Sequence, residues 1–209
     1  MVTRTLIALN VLAYIWELYT GALHSDTALI RDGVLVPVLV TQNHEYWRII
    51  TSAFLHGGIW HIGLNMLSLY WLGRFIEVVL RPMRMTVVYF ASLIVAGIAV
   101  VLFSPPDIPT LGASGAIFGL FGALFAIGLK FGERGRELVQ SNIGILVINL
   151  LWTFMVPGIS WQAHVGGLIA GFILTYVLFS PPRPVMTRAF DASTGAEYES
   201  QVEMPHDRD

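Results

Sequence analysis

The chain has 209 residues, of which 55% are hydrophobic and only 12% charged, and its formal net charge is −2. Soluble domains carry about 45–50% apolar and about 25% charged residues. The composition therefore excludes an ordinary soluble domain and points to an all-α, polytopic membrane protein. There is no cysteine, which excludes a disulfide framework and a thiolate metal site. No basic run points to nucleic acid.

Six apolar stretches of about 15–21 residues have the length a membrane helix needs. The first covers residues 5–19 and is the most polar, with Asn10 inside it and Glu17 near its end. It follows Met1-Val2-Thr3-Arg4 with no small-residue cleavage site, so it reads as a first membrane helix rather than a removed signal peptide. The long connection 20–57 mixes charges with apolar pieces such as Leu35-Val36-Pro37-Val38-Leu39-Val40. That pattern predicts short amphipathic segments lying in the membrane interface. The remaining spans are 58–79, 85–103, 113–131, 138–155 and 160–179. Residues 1–180 thus form one six-helix membrane domain. The tail 181–209 is polar, acidic and proline-containing, and is expected to be a disordered cytoplasmic segment.

Loop charge sets the orientation. Arg4, Arg74, Arg81, Arg84, Lys130, Arg134, Arg136, Arg183, Arg188 and Arg208 fall on one side, and only Arg31 and Arg48 on the other. Both termini are therefore expected in the cytoplasm. Spans two, four and six then start at the outer face, and their polar residues share one depth. His61 and Asn65 stand at i, i+4 on one face of span two. Ser114 opens span four, and His164 lies about 6 Å into span six at about 1.5 Å per residue. Ionisable residues at such positions face the bundle interior and mark function.

A serine beside a histidine is a minimal activated nucleophile. A third group often orients the imidazole, but the acids here sit in loops, in the tail or at span ends, as Glu17 and Glu77 do. A dyad of Ser114 and His164 is therefore expected, with the imidazole fixed by packing, Phe118 being the ring available for it. An oxyanion would find donors in the Asn65 amide, a His61 N–H and the Ser114 backbone N–H. Small residues are spaced for close helix approach at Gly115 and Gly119 in span four and at Gly167 and Gly171 in span six.

A bare hydroxyl at a first helical turn is ordinarily a cap. Haem ligation by His61 and His164 would leave Ser114 and Asn65 at the same depth unexplained. A transporter would place its polar groups nearer the midplane. His56 reads as a structural residue at the loop–helix junction, His24 and His44 as loop residues, and His206 as a tail residue. No cofactor or metal is expected.

Four separated motifs resemble the rhomboid intramembrane serine proteases. They are Trp47-Arg48, His56-Gly57-Gly58-Ile59-Trp60-His61-Ile62-Gly63-Leu64-Asn65, Gly112-Ala113-Ser114-Gly115, and Ala163-His164-Val165-Gly166-Gly167-Leu168-Ile169-Ala170-Gly171. They occur in order between Glu45 and Gly171, and the six spans resemble the basic prokaryotic form of that family.

The resemblance implies Ser114 as nucleophile, His164 as general base, and Asn65, His61 and the Ser114 amide as the oxyanion hole. It implies that Trp47 and Arg48 brace the first loop. Span five, with Trp152 and Phe154, and the loop 156–159 would form the gate and cap. Where some members carry tyrosine, this chain has Phe118. The implied activity is hydrolysis of peptide bonds in or near the membrane segment of single-span membrane proteins, within the lipid bilayer of a prokaryotic plasma membrane. The alternative is a catalytically silent, client-binding relative.

Overall fold

Each of the six apolar stretches is helical, and the helix ends follow from local sequence. Helix α1, Val2–Thr20, stops at Gly21, whose φ of 70° lets the chain leave the helix without a Cβ penalty. The computed structural model describes residues 1–21, 33–156, 158–180, 185–190 and 197–202. The expectations for His24, Arg31 and His206 lie outside the described residues.

Within the first loop, Pro37–Gln42 forms α2, Arg48–Thr51 forms α3, and Ser52–Phe54 adds a 3₁₀ turn. Ile59–Ser68 is α4, which runs through a π-helical turn at Leu69–Gly73 into α5, Arg74–Leu80. Arg81 then takes a φ of 67°, and Pro82 opens α6, Pro82–Phe103. Proline suits a first helical turn because the N–H it lacks would have had no partner there. The bundle is completed by α7, Ser114–Lys130, by α8, Glu133–Met155, and by α9, Trp161–Leu178. The stretches Ile59–Leu80, Pro82–Phe103, Gly135–Met155 and Trp161–Leu178 are long and apolar enough to cross a membrane, whereas Ser114–Lys130 is shorter.

Helix α7 is the core of this unit. Nearly every residue from Gly115 to Gly128 is buried. Its 17 residues span about 26 Å at about 1.5 Å each, less than the roughly 30 Å of a hydrocarbon core.

Two sets of close contacts hold α7. A Cβ on Gly167 would collide with the Gly115 carbonyl oxygen, and one on Gly171 with the Gly119 carbonyl oxygen. The glycines of α9 thus admit the backbone of α7. The glycines of α7 in turn admit α6. A Cβ on Gly115 would lie 2.7 Å from the Ala96 methyl, and one on Gly119 would overlap Ser92. By contrast, α8 is the least buried of the long helices, with 11% of its apolar window covered against 39% for Pro82–Phe103.

Tertiary contacts satisfy several of the polar groups. The first N–H groups of a helix lack intrahelical partners. Those of α1 are met by the Glu77 carboxylate, which accepts from Val2 N at 2.7 Å, Thr3 N at 3.0 Å and Thr3 Oγ1 at 2.7 Å. At the other end of α1, buried Glu17 accepts from His56 N at 3.0 and 3.1 Å. The first loop is tied to the loop before α7. Leu35 and Thr110 exchange backbone hydrogen bonds at 3.1 and 2.8 Å, and Gly112 N donates to Ser52 O at 2.8 Å.

Residues 180–209 form a separate unit, in which 185–190 and 197–202 are described. Strand β1, Val185–Phe190, pairs antiparallel with β2, Glu197–Val202, in the register Val185↔Val202 to Phe190↔Glu197. The segments carry Val185, Thr187, Phe190, Tyr198 and Val202, residue types that favour strands. Arg188 and Glu199 are register partners. The net polarity of the tail hid this local pattern.

The α7–α9 contact predicts the effect of Gly171→Leu. The new side chain must displace the Gly119 carbonyl, and overpacking of this kind costs about 1–3 kcal/mol or more. The detergent-solubilised variant should melt several degrees below the wild type. Gly144→Leu on α8, where a Cβ meets nothing within 4 Å, should leave the melting temperature unchanged. Equal melting of the two variants would show that the glycines do not set the helix spacing.

Candidate active site

Ser114 is the first residue of α7. The turn before it depends on Gly112, whose φ is 118° and whose Cβ, were there one, would lie 2.7 Å from His61 Nε2. Both facts demand glycine, one through backbone conformation and one through space. His164 stands in the first full turn of α9, where Ser160 caps the helix by accepting from Ala163 N at 3.3 Å. The glycine contacts begin beside Ser114 and three residues after His164. They bring the two side chains together, with His164 Nε2 2.8 Å from Ser114 Oγ.

The imidazole is held on two further sides. Its ring stacks on Phe118, centroids 4.1 Å apart and planes 11° from parallel. Its Nδ1 lies 2.7 Å from Thr153 Oγ1 on α8. Thr153 is buried and did not emerge from the sequence. Its signal was a polar stripe: Asn142, Asn149 and Thr153 recur at i, i+7 and i+11 on one face of an otherwise apolar helix.

His61 and Asn65 reach the same space from α4. They line, with Ser114, His164, Phe118 and Thr153, a cavity of about 460 Å³. Asn65 Nδ2 donates one proton to His61 O at 2.9 Å; an amide carries two. Gly57 N donates to His61 Nδ1 at 3.3 Å. A neutral His61 therefore carries its own proton on Nε2, the atom beside Gly112. The Ser114 N–H, in a first helical turn, has no intrahelical acceptor.

His56 lies behind this wall rather than in it. It is fully buried, its Nδ1 donates to Phe54 O at 3.2 Å, and its ring meets His61 edge-on at 5.1 Å. Burial, reinforced by the neighbouring His61, pushes its pKa down to about 4. It is therefore neutral near pH 7 and adds no charge behind the cavity. Trp47 and Arg48 are also outside the cavity. The Arg48 guanidinium lies 4.5 Å over the Trp47 ring and donates to Val34 O at 2.9 Å and Glu45 Oε2 at 2.6 Å. They organise the loop that is tied to the segment before Ser114. Among the described residues no group of three His, Asp or Glu side chains is arranged to hold a metal ion.

The cavity thus contains a hydroxyl hydrogen-bonded to an imidazole, with N–H donors on the facing wall. Such an arrangement can transfer a proton from the hydroxyl and stabilise an oxyanion.

A family model described as the Rhomboid domain matches residues 43–181. The chain is 35% identical over 166 residues to "Putative rhomboid protease YdcA" of Bacillus subtilis (strain 168), covering 79% of this chain and 83% of that protein. It is 36% identical over 181 residues to "Rhomboid protease GluP" of the same organism, covering 86% of this chain but 35% of GluP, so it spans about a third of that relative's length. It is also 38% identical over 166 residues to "Inactive RHOMBOID-like protein 8" of Arabidopsis thaliana, covering 76% of this chain and 46% of that protein. The matched region runs from the first loop to the end of α9 and includes the whole cavity, and the chain belongs to the rhomboid family.

Proposed function

We propose that this chain is an intramembrane serine endopeptidase that cleaves single-span membrane proteins in or near their membrane segment. The observation that carries the reading is the 2.8 Å contact between Ser114 Oγ and His164 Nε2 in a cavity furnished with N–H donors. One relative is named inactive, so a catalytically silent, client-binding chain is the alternative, and the intact serine–histidine contact favours catalysis over it.

In this reading His164 Nε2 takes the Ser114 proton as Oγ bonds to the substrate carbonyl carbon. The carbonyl oxygen becomes an oxyanion held by the Ser114 N–H, the second Asn65 amide proton and His61 Nε2–H. The intermediate collapses, the peptide C–N bond breaks, and the leaving nitrogen receives the proton from His164. Water, deprotonated by the same imidazole, then hydrolyses the acyl-enzyme. Phe118 and the α7–α9 packing keep the ring in line with Oγ.

A helical substrate hides its carbonyls in its own hydrogen bonds and must unwind to react, which is costly in lipid. The reading therefore favours substrates with small or helix-breaking residues at the outer end of the span. The sparse burial of α8 and the position of Trp152 on the cavity wall support α8 and the loop 156–159 as gate and cap. The Bacillus relatives support a bacterial plasma membrane, and the loop charges support cytoplasmic termini.

Three outcomes follow. A fluorophosphonate should label the solubilised protein at Ser114, with labelling abolished in Ser114→Ala and strongly reduced in His164→Ala; full labelling of His164→Ala would break the proposed pair. Labelling should rise with pH as one imidazole loses its proton. Asn65→Ala should slow cleavage by about 10²-fold or less, since one lost oxyanion donor typically costs about 10²–10³ and others remain. Unchanged turnover in both Asn65→Ala and the double variant with His61→Ala would remove these residues from the oxyanion hole. Finally, the chain has no native cysteine. A cysteine at Gln42 should react with an impermeant maleimide on intact cells, and one at Glu133 only after permeabilisation. The reverse pattern would invert the proposed orientation.

A further inference from the structure

The proton positions around His164 follow from the hydrogen bonds of one side chain. Thr153 Oγ1 lies 2.7 Å from Asn149 O and 2.7 Å from His164 Nδ1. A hydroxyl has one proton to donate, and a carbonyl oxygen can only accept. With that proton on the Asn149 carbonyl, Oγ1 presents a lone pair to His164, so Nδ1 must carry the imidazole proton. A neutral ring protonated at Nδ1 has its lone pair on Nε2, the atom facing Ser114 Oγ at 2.8 Å.

The opposite tautomer has a cost. Thr153 would have to turn its proton onto Nδ1 and give up the Asn149 carbonyl. It would also leave Nε2 protonated and unable to accept from Ser114. The Nδ1–H arrangement needs no such exchange at any stage. When Nε2 takes the serine proton, both ring nitrogens become donors, and Thr153 Oγ1 remains a correctly placed acceptor. Thr153 is also suited to the task physically. It is 3% exposed, which limits competition from water for its oxygen, and its β-branched side chain is stiff at χ1.

We infer that Thr153 is a positioning residue for the reaction: its hydroxyl, anchored on the Asn149 carbonyl, holds His164 in the tautomer that can act as base. This rests on the serine–histidine reading above. The group comes from α8, not from the α7–α9 pair that sets the serine–histidine distance, so the orientation of the base depends on the most weakly packed long helix.

The test uses the full-length protein in detergent and an alkyl fluorophosphonate, with the maximal labelling rate measured separately from the probe's half-saturating concentration. Thr153→Val keeps the shape and removes the hydroxyl. It should lower the maximal rate about tenfold, in line with the loss of one buried hydrogen bond, and leave half-saturation and melting temperature near wild-type values. Thr153→Ser should restore the rate to within about twofold. Thr153→Ala serves the same comparison if the valine variant does not fold. Wild-type rates in the hydroxyl-free variant, or a loss that tracks a lower melting temperature and is not rescued by serine, would overturn the role of Thr153. Persistent labelling of Ser114→Ala would instead overturn the dyad on which it rests.

Discussion

The seating of α7 carbonyls against α9 glycines is the contact on which the site depends. Apolar side chains in lipid gain little by turning from lipid toward one another, so helices associate through close packing. Gly167 and Gly171 supply that closeness by leaving space for the Gly115 and Gly119 carbonyl oxygens. Helix α6 locks the pair from behind, since a Cβ on Gly166 would lie 2.8 Å from the Ala99 methyl and one on Gly115 2.7 Å from the Ala96 methyl. Ser114 directly precedes one glycine of this contact and His164 lies one turn before another. The distance between hydroxyl and imidazole is therefore a consequence of backbone spacing rather than of any direct attraction between the two groups.

A second constraint is that polar groups buried in such a bundle must find partners. The carboxylates that could have served a catalytic histidine are used elsewhere. Glu77 takes the N-terminal donors of α1, and Glu17 takes the His56 N–H. The result ties α1 to α5 at one end and to the junction before α4 at the other. Arg48 does comparable work in the first loop by pairing with Glu45 and the Val34 carbonyl. That loop in turn reaches Thr110 and Gly112, four and two residues from Ser114. Ser114 is thus positioned by backbone contacts on one side and helix packing on the other.

With no acid beside it among the described residues, the imidazole rests on neutral neighbours. Phe118 supplies a flat face, and Thr153 supplies one oxygen lone pair. A neutral hydroxyl stabilises an imidazolium less than a carboxylate does, because charge-assisted hydrogen bonds are the stronger ones. In the proposed reaction more of the stabilisation then falls on the donors facing the oxyanion, from Ser114, Asn65 and His61. Fully buried, neutral His56 behind them keeps the donor wall in place without adding charge.

The amino-acid sequence by itself determined the helical segments, because a membrane segment must be long, apolar and internally hydrogen-bonded. Residue spacing along helices of known rise also leads to the expectation that Ser114, His164, His61 and Asn65 share one layer, and the four side chains line one cavity. The sequence could not show which helix faces meet. Thr153 is eleven residues from His164 in the chain, and its role arises only when α8 and α9 pack with those two side chains inward. Glu17 and Glu77 read as acids at span ends because their partners lie 39 and about 75 residues away. The π-helical turn at Leu69–Gly73 and the paired strands in the tail were likewise invisible to hydropathy. At one, α1 packs close to Gly73, where a Cβ would lie 3.0 Å from Thr3. The other depends on pairing between two short segments that are polar on average. Periodicity along one chain segment sets what a residue can face, but only tertiary packing decides what is there to be faced.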